Sequence, residues 1–314
     1  MSFRSGFVAI VGLPNAGKST LLNALAGEKL AIVSPKPQTT RTRVLGVLHL
    51  PKQKGRSGAQ AVLIDTPGVH RAGSSLDRKM MGEVREALDG SDLILMITDA
   101  SRRREAGEEF LLRLVKSANT PAFLLLNKID LLRAEKQQLL PLIETYSQIH
   151  KFREIVPISA RKCEGLDVLS DKLLAALPEG PPYFAEDQLT DQPIRFMASE
   201  LVREQVLLAT SEEVPHSVAV MVEEFEEGTK LTRIAATIYC EREGQKRILI
   251  GHRGQMLKKI GTAARMGIEK MLGTKVFLEL FVKVRPNWRD SRGFVEELDW
   301  RRQLENLTGK LRTS

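Results

Sequence analysis

The sequence predicts an α/β protein of two domains: a mostly parallel sheet with helices on both faces, followed by a smaller α+β domain. Strand-length apolar runs alternate with helical segments through the first 178 residues, which is the pattern of such a sheet. A proline-rich stretch at 178–193 interrupts the pattern, and 314 residues exceed one typical core. We therefore predict a first domain at 1–178, a linker at 179–195, a second domain at 196–290 and a C-terminal helix or tail at 291–314.

A glycine-rich loop with GxxxxGKS spacing follows the first apolar strand, Phe7–Val11, and precedes a helix that starts near Leu21. Its glycines let successive backbone N–H groups point at phosphate oxygens, and the helix N-terminus adds its positive end. A glycine turn with an incidental Lys-Ser pair is the alternative, which the flanking elements disfavour. Lys18 is expected at the terminal phosphates and Ser19 at Mg²⁺. The loop residues predicted to contact a nucleotide are Gly12, Asn15, Ala16, Gly17, Lys18, Ser19 and Thr20.

A second phosphate-side motif follows two further strands. The polar, proline-containing run Ile32–Arg41 predicts an exposed, mobile loop, and strands are expected at Val44–Leu48 and Ala61–Ile64, separated by a basic, hairpin-like segment at 52–58. Asp65 then ends a buried strand, where its carboxylate reaches Mg²⁺ directly or through water. Three residues later, Gly68 allows its backbone N–H to approach a γ-phosphate.

The middle of the first domain continues the alternation. Residues 69–90 predict a loop and an amphipathic helix, in which the methionines are ordinary core contacts. Strands are predicted at Leu93–Thr98 and Ala122–Leu126, with a helix at Ala106–Ser117 between them. These elements complete the crossovers that a parallel sheet requires.

The motif Asn127-Lys128-Ile129-Asp130 at the end of the fifth strand predicts which base is bound. A carboxylate accepts two hydrogen bonds from N1–H and the amino group of guanine, and adenine offers no such pair. The expected roles are Asp130 on the base edge, Asn127 on the base or the loops around it, and Lys128 along the ring. The alternative, an Asp that only caps a helix, is disfavoured by the strand-end position. A last strand, Ile155–Ile158, brings the backbone of Ser159 and Ala160 toward the base oxygen.

The second domain contains a GxxG turn between two helices, Gly251-His252-Arg253-Gly254, within Arg247–Gly261. A helix is predicted before it at Phe196–Leu208, and strands at Ser217–Phe225, Leu231–Glu241 and Val276–Val284. Such a turn approaches a nucleic-acid backbone without a side-chain collision. A close helix–helix contact is the competing interpretation. The residues predicted to bind single-stranded RNA are Gly251, His252, Arg253, Gly254, Lys258 and Lys259.

The charge distribution supports a polyanion-binding C-terminal region. Residues 231–314 carry 18 Lys and Arg against 9 Asp and Glu, behind an acidic stretch at 181–230 with 3 against 11. A solvated basic face is the alternative. The tail aromatics Trp288, Phe294 and Trp300 are expected to pack the last helix rather than stack on bases.

Other classes of protein are disfavoured by composition. No apolar run approaches the ~20 residues of a membrane span, and the N-terminus enters a strand almost at once, so no secretory signal is expected. The only cysteines, Cys163 and Cys240, lack metal-ligand spacing and fit a reducing cytoplasm.

These motifs resemble those of a known family. The segments similar to the five G-motifs of a translational-type GTPase are Gly12–Ser19, Pro37–Arg41, Asp65–His70, Asn127–Asp130 and Ser159-Ala160. Four further segments restrict the resemblance to one family of such GTPases. They are Glu213–Ser217, Gly251–Gly254, Val282–Arg285 and Trp288–Asp290. From about Gly6 to about Lys310 the chain resembles the Era family of bacterial GTPases, which join a Ras-like P-loop domain to a type II KH domain.

The resemblance implies a role in assembly of the 30S ribosomal subunit. The KH domain would bind single-stranded RNA near the 3′ end of 16S rRNA, in a manner set by GTP or GDP. The resemblance further implies a monomer in the cytoplasm with peripheral contact to the inner membrane. It places Thr40 on Mg²⁺, with Thr39 as the alternative, and gives Lys18, Thr40, Asp65 and Gly68 as the catalytic set.

The hydrolytic reaction is expected to be slow without partners. Many GTPases orient the attacking water with a Gln directly after DxxG, but this chain has Val69 there. Asn15 resembles GTPases in which an Asn helps to hold K⁺ in place of an arginine finger. A second function class, an RNA-binding assembly factor with a structural nucleotide, stays open. A phosphate-loop kinase is disfavoured by Asn127–Asp130 and the KH-like end.

Overall fold

The computed structural model describes residues 2–51, 58–69, 73–102, 104–132 and 139–303. Contacts divide these residues into two units. The first unit holds the described residues up to Ala31, those from Thr40 to Val69, and those from Lys79 to Asp191. The second holds Ile32–Thr39, 73–78 and the described residues from Gln192 onward. The basic segment expected at 52–58 lies, apart from Gly58, outside the described residues.

A six-stranded sheet forms the centre of the first unit, in the order β2-β3-β1-β4-β5-β6. The edge strand β2 runs antiparallel to β3 and the other described pairs are parallel, so the predicted mostly parallel sheet is confirmed. The strands are β1 (Arg4–Gly12), β2 (Val44–Leu50), β3 (Ala59–Asp65), β4 (Leu93–Asp99), β5 (Ala122–Asn127) and β6 (Glu154–Pro157). The helices are α1 (Lys18–Ala26), α2 (Ser75–Asp89), α3 (Ala106–Ala118), α4 (Leu139–Ile149) and α5 (Leu166–Ala176).

Helices cover both faces of this sheet, which explains why its strands are continuously apolar. In β4, Leu93, Leu95 and Ile97 pack into a cluster with leucines of α1 and α5. The alternate residues Ile94 and Met96 pack into a second cluster with α2, α3 and α4. Successive strand side chains point to opposite faces, so a strand that is buried on both sides needs an apolar residue at every position.

The second unit has a three-stranded sheet, β7-β8-β9, with β7 antiparallel and β9 parallel to the central β8. Its described helices and strands are α6 (Ile194–Ala209), α7 (Val214–Ser217), β7 (Ala219–Glu226), β8 (Leu231–Cys240), α8 (Glu243–Ile250), α9 (Gln255–Leu272), β9 (Lys275–Val284) and α10 (Arg292–Glu297). The mixed α+β character predicted for this part of the chain is confirmed.

One face of this second sheet holds the core. Exposure alternates along β9: Val276 is buried in the core cluster that includes residues of α9, whereas Phe277 and Phe281 on the other face are about half exposed. The period of two is that of a strand with one packed side. No helix among the described residues has the length and apolarity needed to cross a membrane.

The tail aromatics pack as predicted. Trp288 and Phe294 are fully buried and Trp300 is nearly so. The indole N–H of Trp288 donates to the Ser217 carbonyl at 2.7 Å, and the Phe294 ring meets Tyr239 edge to face with centroids 5.0 Å apart. Trp288, Phe294 and Trp300 therefore belong to the buried interior of the second unit.

The run between α1 and β2 differs from its prediction in one respect. Residues 31–43 contain no helix or strand, as expected from their prolines. The run is nevertheless not freely exposed, since Ile32 is 6% and Thr40 8% exposed. The polar side chains of the run predicted a solvent-exposed loop, but those of Ser34, Gln38, Thr39 and Thr40 form hydrogen bonds within the protein.

Replacing Trp288 by Ala is expected to destabilise the second unit by about 3–5 kcal/mol, because it leaves a cavity and removes the partner of the Ser217 carbonyl. Urea unfolding followed by circular dichroism measures this. Trp288→Phe, which keeps an aromatic ring, should lose clearly less. An unchanged unfolding midpoint in Trp288→Ala would show that this packing contributes little.

Candidate nucleotide site and nucleic-acid interface

The glycine-rich loop joins β1, which ends at Gly12, to α1, which begins at Lys18. Gly17 caps α1 in the left-handed region, with φ of 102°. A Cβ at Gly17 would lie 2.3 Å from the Asn127 side-chain nitrogen. Both the backbone conformation and the neighbour therefore require glycine here. Of the other loop residues, Ala16 is buried, Asn15 is exposed with φ of 62°, and Thr20 is half-buried in the first turn of α1.

The Lys18 ammonium group is held inside the loop. Nζ donates to the carbonyl oxygens of Gly12, at 3.2 Å, and Leu13, at 3.0 Å. Burial lowers the pKa of Lys18 to about 8, although the nearby Asp65 carboxylate acts in the opposite direction. Phosphate oxygens at this position would offer the buried cation a stronger partner than carbonyls.

Three side-chain oxygens meet beside the loop. Ser19 Oγ lies 2.8 Å from Thr40 Oγ1 and donates to Asp65 Oδ2 at 2.6 Å, and Thr40 Oγ1 lies 3.3 Å from the same carboxylate oxygen. Thr39 is engaged elsewhere, since its hydroxyl lies 2.6 Å from Ser34 Oγ and donates to the Lys36 carbonyl. Of the two threonines left open by the sequence, Thr40 is the one beside Ser19.

This oxygen cluster has the chemistry of a magnesium site. Asp65 is fully buried, and its Oδ1 has no hydrogen-bond partner among the described residues. Burial raises the pKa of Asp65 to about 6, against the opposing effects of Lys18 and the hydroxyls of Ser19 and Thr40. Hard oxygen ligands with one carboxylate are what Mg²⁺ selects. The residues therefore fit the cation that the phosphate loop implies.

The segment after Asp65 runs past the phosphate loop. Thr66 donates through its hydroxyl to the Ile10 carbonyl at 2.8 Å, and the Val69 N–H donates to the Gly12 carbonyl at 3.1 Å. Gly68 lies so close to Pro14 that an added Cβ would come within 2.9 Å of it. Val69 is 2% exposed, so the side chain at the usual glutamine position is packed away from solvent.

The predicted base-side residues also come together. Asn127 Nδ2 donates to the Ala16 carbonyl at 2.8 Å, and Asn127 Oδ1 accepts the Ala160 N–H at 3.0 Å. Ser159 Oγ donates to Asp130 Oδ1 at 2.6 Å. Asn127 thus supports the loops instead of being free to read a base, whereas Asp130 is oriented by a neighbour.

Sequence reasoning missed Asp99, at the end of β4. Its Oδ2 accepts Lys128 Nζ at 2.6 Å. Burial opposes ionisation of Asp99, but hydrogen bonds from Lys128 and Ser101 outweigh it, so the pKa of this carboxyl is lowered. Asp99 and Asn127 are register partners on adjacent parallel strands. The sequence did contain a signal for Asp99: its carboxylate ends a predicted strand, as Asn127 ends the next one.

These groups gather at the carboxyl ends of β1, β3, β4 and β5. β3 and β4 flank β1 on opposite sides. The strand order therefore reverses at β1, and a crevice is expected beyond the carboxyl ends of the strands at this point. Ligands in open α/β sheets bind at this kind of position.

The GxxG turn lies in the second unit between α8 and α9. Gly251 has φ of 71°, and a Cβ there would lie 2.6 Å from the Met256 Cβ, which fixes glycine at this position. His252 and Arg253 between the two glycines are exposed, as are Lys258 and Lys259 on the first turns of α9. The turn thus presents backbone and positive charge to solvent, as a phosphate-binding surface requires.

Family models match both units. Residues 7–128 match a model described as 50S ribosome-binding GTPase, and residues 213–289 match a KH domain model. Proteins named GTPase Era are similar over nearly the whole chain. The one from Syntrophus aciditrophicus is 46% identical over 95% of each chain, and the one from Geobacter metallireducens is 48% identical over 95% of this chain and 98% of its own.

Two solved structures are similar in fold over nearly the whole length. A crystal structure of a point variant of Aquifex aeolicus Era bound to GDP and AlF₄⁻ has a TM-score of 0.88 and 43% identity, covering 93% of this chain and 98% of that one. A crystal structure of Era with MgGDPNP and nucleotides 1506–1542 of 16S ribosomal RNA has a TM-score of 0.89 and 43% identity, covering 94% and 98%.

Replacing Gly17 by Ala is expected to weaken nucleotide binding at least about tenfold, because the new Cβ collides with the Asn127 amide and the residue disfavours its φ. Fluorescent-nucleotide titration measures the loss. Gly27→Ala is the matched control, since Gly27 also has positive φ but a Cβ added there would meet no atom within 4 Å. An equal loss of affinity in the two variants would mean that backbone strain, and not the contact with Asn127, weakens nucleotide binding.

Proposed function

This chain is a member of the Era family of GTPases, and we propose that it is a GTP-hydrolysing switch that binds single-stranded RNA near the 3′ end of 16S rRNA during 30S subunit assembly. The observation that carries the proposal is the cluster of Ser19, Thr40 and Asp65 oxygens, with Asp65 Oδ1 buried and unpartnered in the described part of the chain. Such a cluster suits a magnesium–nucleotide complex.

We assign the phosphate-side roles as follows. Lys18 and Gly68 approach the terminal phosphates, the backbone from Gly12 to Thr20 surrounds them, and Asn15 is the candidate ligand for K⁺. Ser19, Thr40 and Asp65 would hold Mg²⁺, which neutralises charge on the β- and γ-phosphates when bound. Because Val69 cannot orient water, intrinsic hydrolysis is slow and depends on a partner or a cation.

We assign guanine recognition to Asp130, which accepts from the base edge and is oriented by Ser159. Asn127 holds the phosphate loop and the Ala160 backbone in register, and Lys128 lies beside the ring with its charge balanced by Asp99. The base is then read by a single carboxylate on a fixed frame.

We assign RNA binding to the turn Gly251–Gly254 with Lys258 and Lys259, in a KH domain at 196–290 that follows a G domain at 1–178 and a linker at 179–195. A single strand suits this site because its backbone can approach the turn while its unpaired bases form hydrogen bonds with the protein. The chain acts as a monomer in the cytoplasm, with peripheral contact at the inner membrane.

An attached GTPase that does not gate RNA binding is the second candidate, and the buried Val69 favours it because it suggests low turnover. Short RNAs carrying the 3′ end of 16S rRNA, titrated at fixed salt into protein loaded with GDP or a non-hydrolysable GTP analogue, separate the two. Tight binding with the analogue alone is expected. Equal binding in both states would leave an RNA-binding protein whose nucleotide is structural.

The same titration tests the interface. Lys258→Glu is expected to weaken RNA binding at least about tenfold, since it reverses a charge beside the turn. Lys270→Glu, an exposed change on the same helix outside the first turns, should retain most of the affinity. Equal losses in the two variants would indicate binding by overall charge and not at the turn.

Replacing Asp130 by Asn is expected to lower GTP affinity at least about 100-fold, because an amide presents a donor to the amino group of guanine. Xanthosine triphosphate carries a carbonyl in place of that amino group, so the variant should bind it better than GTP. Competition binding against both nucleotides measures the exchange. Asp167→Asn, at an exposed site, should change neither affinity. A variant that still prefers GTP would exclude Asp130 as the base-reading group.

A further inference from the structure

We propose that Arg203 and Glu204, adjacent residues of α6, are positioning residues for GTP hydrolysis: they hold the backbone of the 32–39 segment and so set Thr40 in place for the cation. The inference rests on the proposed function, since it takes Thr40 as a ligand of Mg²⁺. Neither residue belongs to the motifs that the sequence singled out, and neither contacts the nucleotide site itself.

The 32–39 segment lies in the same unit as α6. Ile32–Thr39 belongs to the second unit together with α6, although in sequence it lies between two stretches of the first unit. Thr40, the next residue, belongs to the first unit, where its hydroxyl lies 2.8 Å from Ser19 Oγ. A single peptide bond therefore separates a residue held by α6 from a residue of the oxygen cluster.

The two charged side chains form hydrogen bonds with opposite ends of the segment. Glu204 Oε1 accepts the Val33 N–H at 3.0 Å. Arg203 Nη2 donates to the Thr39 carbonyl, and Arg203 Nε donates to Glu200 at 2.7 Å. Both grips are on backbone groups, so they fix the path of the chain irrespective of the side chains along it.

Internal hydrogen bonds make the segment a closed loop between these grips. The hydroxyls of Ser34 and Thr39 lie 2.6 Å apart, and Thr39 also donates to the Lys36 carbonyl at 2.7 Å. Gln38 donates to Asp77 at 3.0 Å, within the same unit. Because these hydrogen bonds restrict the backbone of the segment, holding Thr39 in place also restricts the position of its neighbour Thr40.

The burial of the pair is not accounted for by stability alone. Arg203 is 2% and Glu204 3% exposed, on a helix whose neighbouring core residues Val202 and Val206 are aliphatic. Buried ionic groups are often no more stabilising than apolar residues of similar volume. Arg203 Nη1 is in addition buried without a hydrogen-bond partner in the described ranges. Retaining a guanidinium that is incompletely satisfied points to its contact with Thr39.

The consequence is a preference between nucleotides. Threonine ligation of Mg²⁺ is made in the triphosphate state and released on hydrolysis. A grip that pre-sets Thr40 therefore favours GTP over GDP. By reciprocity, a triphosphate that engages Thr40 strengthens the hold of the 32–39 segment on α6.

Arg203→Met, which keeps an unbranched apolar stem and removes the donors, tests the inference. Affinities for GDP and for a non-hydrolysable GTP analogue are measured with Mg²⁺, together with the Mg²⁺ concentration for half-maximal hydrolysis. We expect about tenfold weaker analogue binding, GDP affinity within about twofold of the parent, and a higher Mg²⁺ requirement. Arg195→Met is the matched control, because Arg195 also lies in α6 and donates to backbone carbonyls, those of Val222 and Glu223.

The conservative variant Arg203→Lys keeps the charge but has one amine for Glu200 and the Thr39 carbonyl, so it should show an intermediate analogue-to-GDP ratio; it also serves if Arg203→Met fails to fold. An unchanged ratio in a folded Arg203 variant, with only a lower unfolding midpoint, would overturn the inference and leave a structural role. If the parent protein itself shows no Mg²⁺-dependent analogue binding, the proposed function fails instead.

Discussion

One amide side chain keeps the two halves of the nucleotide site in register. Asn127 donates to the phosphate loop at Ala16 and accepts from the backbone at Ala160, although β1 and β5 are separated by β4 in the sheet. Because the amide is 2% exposed, its two hydrogen bonds form where water cannot replace them. The space that Asn127 occupies also excludes a Cβ at position 17, and Ala160, which it holds, directly follows Ser159, the hydrogen-bond partner of Asp130.

Around this frame, the site holds its charges in a partly desolvated state. Lys18 and Asp65 are both shifted toward their neutral forms by burial, and each partly restores the charge of the other. Dipoles and charges that are fixed before the ligand arrives need no reorganisation when it binds. The phosphate loop and the neighbouring Asp65 thus present a cation and a carboxylate that gain most from charged partners.

Patterns that depend on local chemistry could be predicted from the sequence, and those that depend on tertiary contact could not. The continuous apolar runs of β4 and β5 predicted the parallel sheet, which is confirmed, and the glycine spacing predicted the loop that joins β1 to α1. The helices α4, α5 and α7 were not predicted, and the 32–39 segment was expected to be exposed because its prolines and hydroxyls indicate a surface loop. Arg203 and Glu204 gave no distinctive signal, since a charged residue on a helix ordinarily faces water.

The one-sided packing of the second sheet has a consequence for how this part of the chain diverges. Along β9, Val276 lies in the core and Phe277 beside it faces outward. Selection for folding therefore acts on every second codon, while the intervening codons are free to follow solubility or new contacts. We therefore expect tolerated substitutions in β9 to recur at every second position, on the face where Phe277 and Phe281 are half exposed.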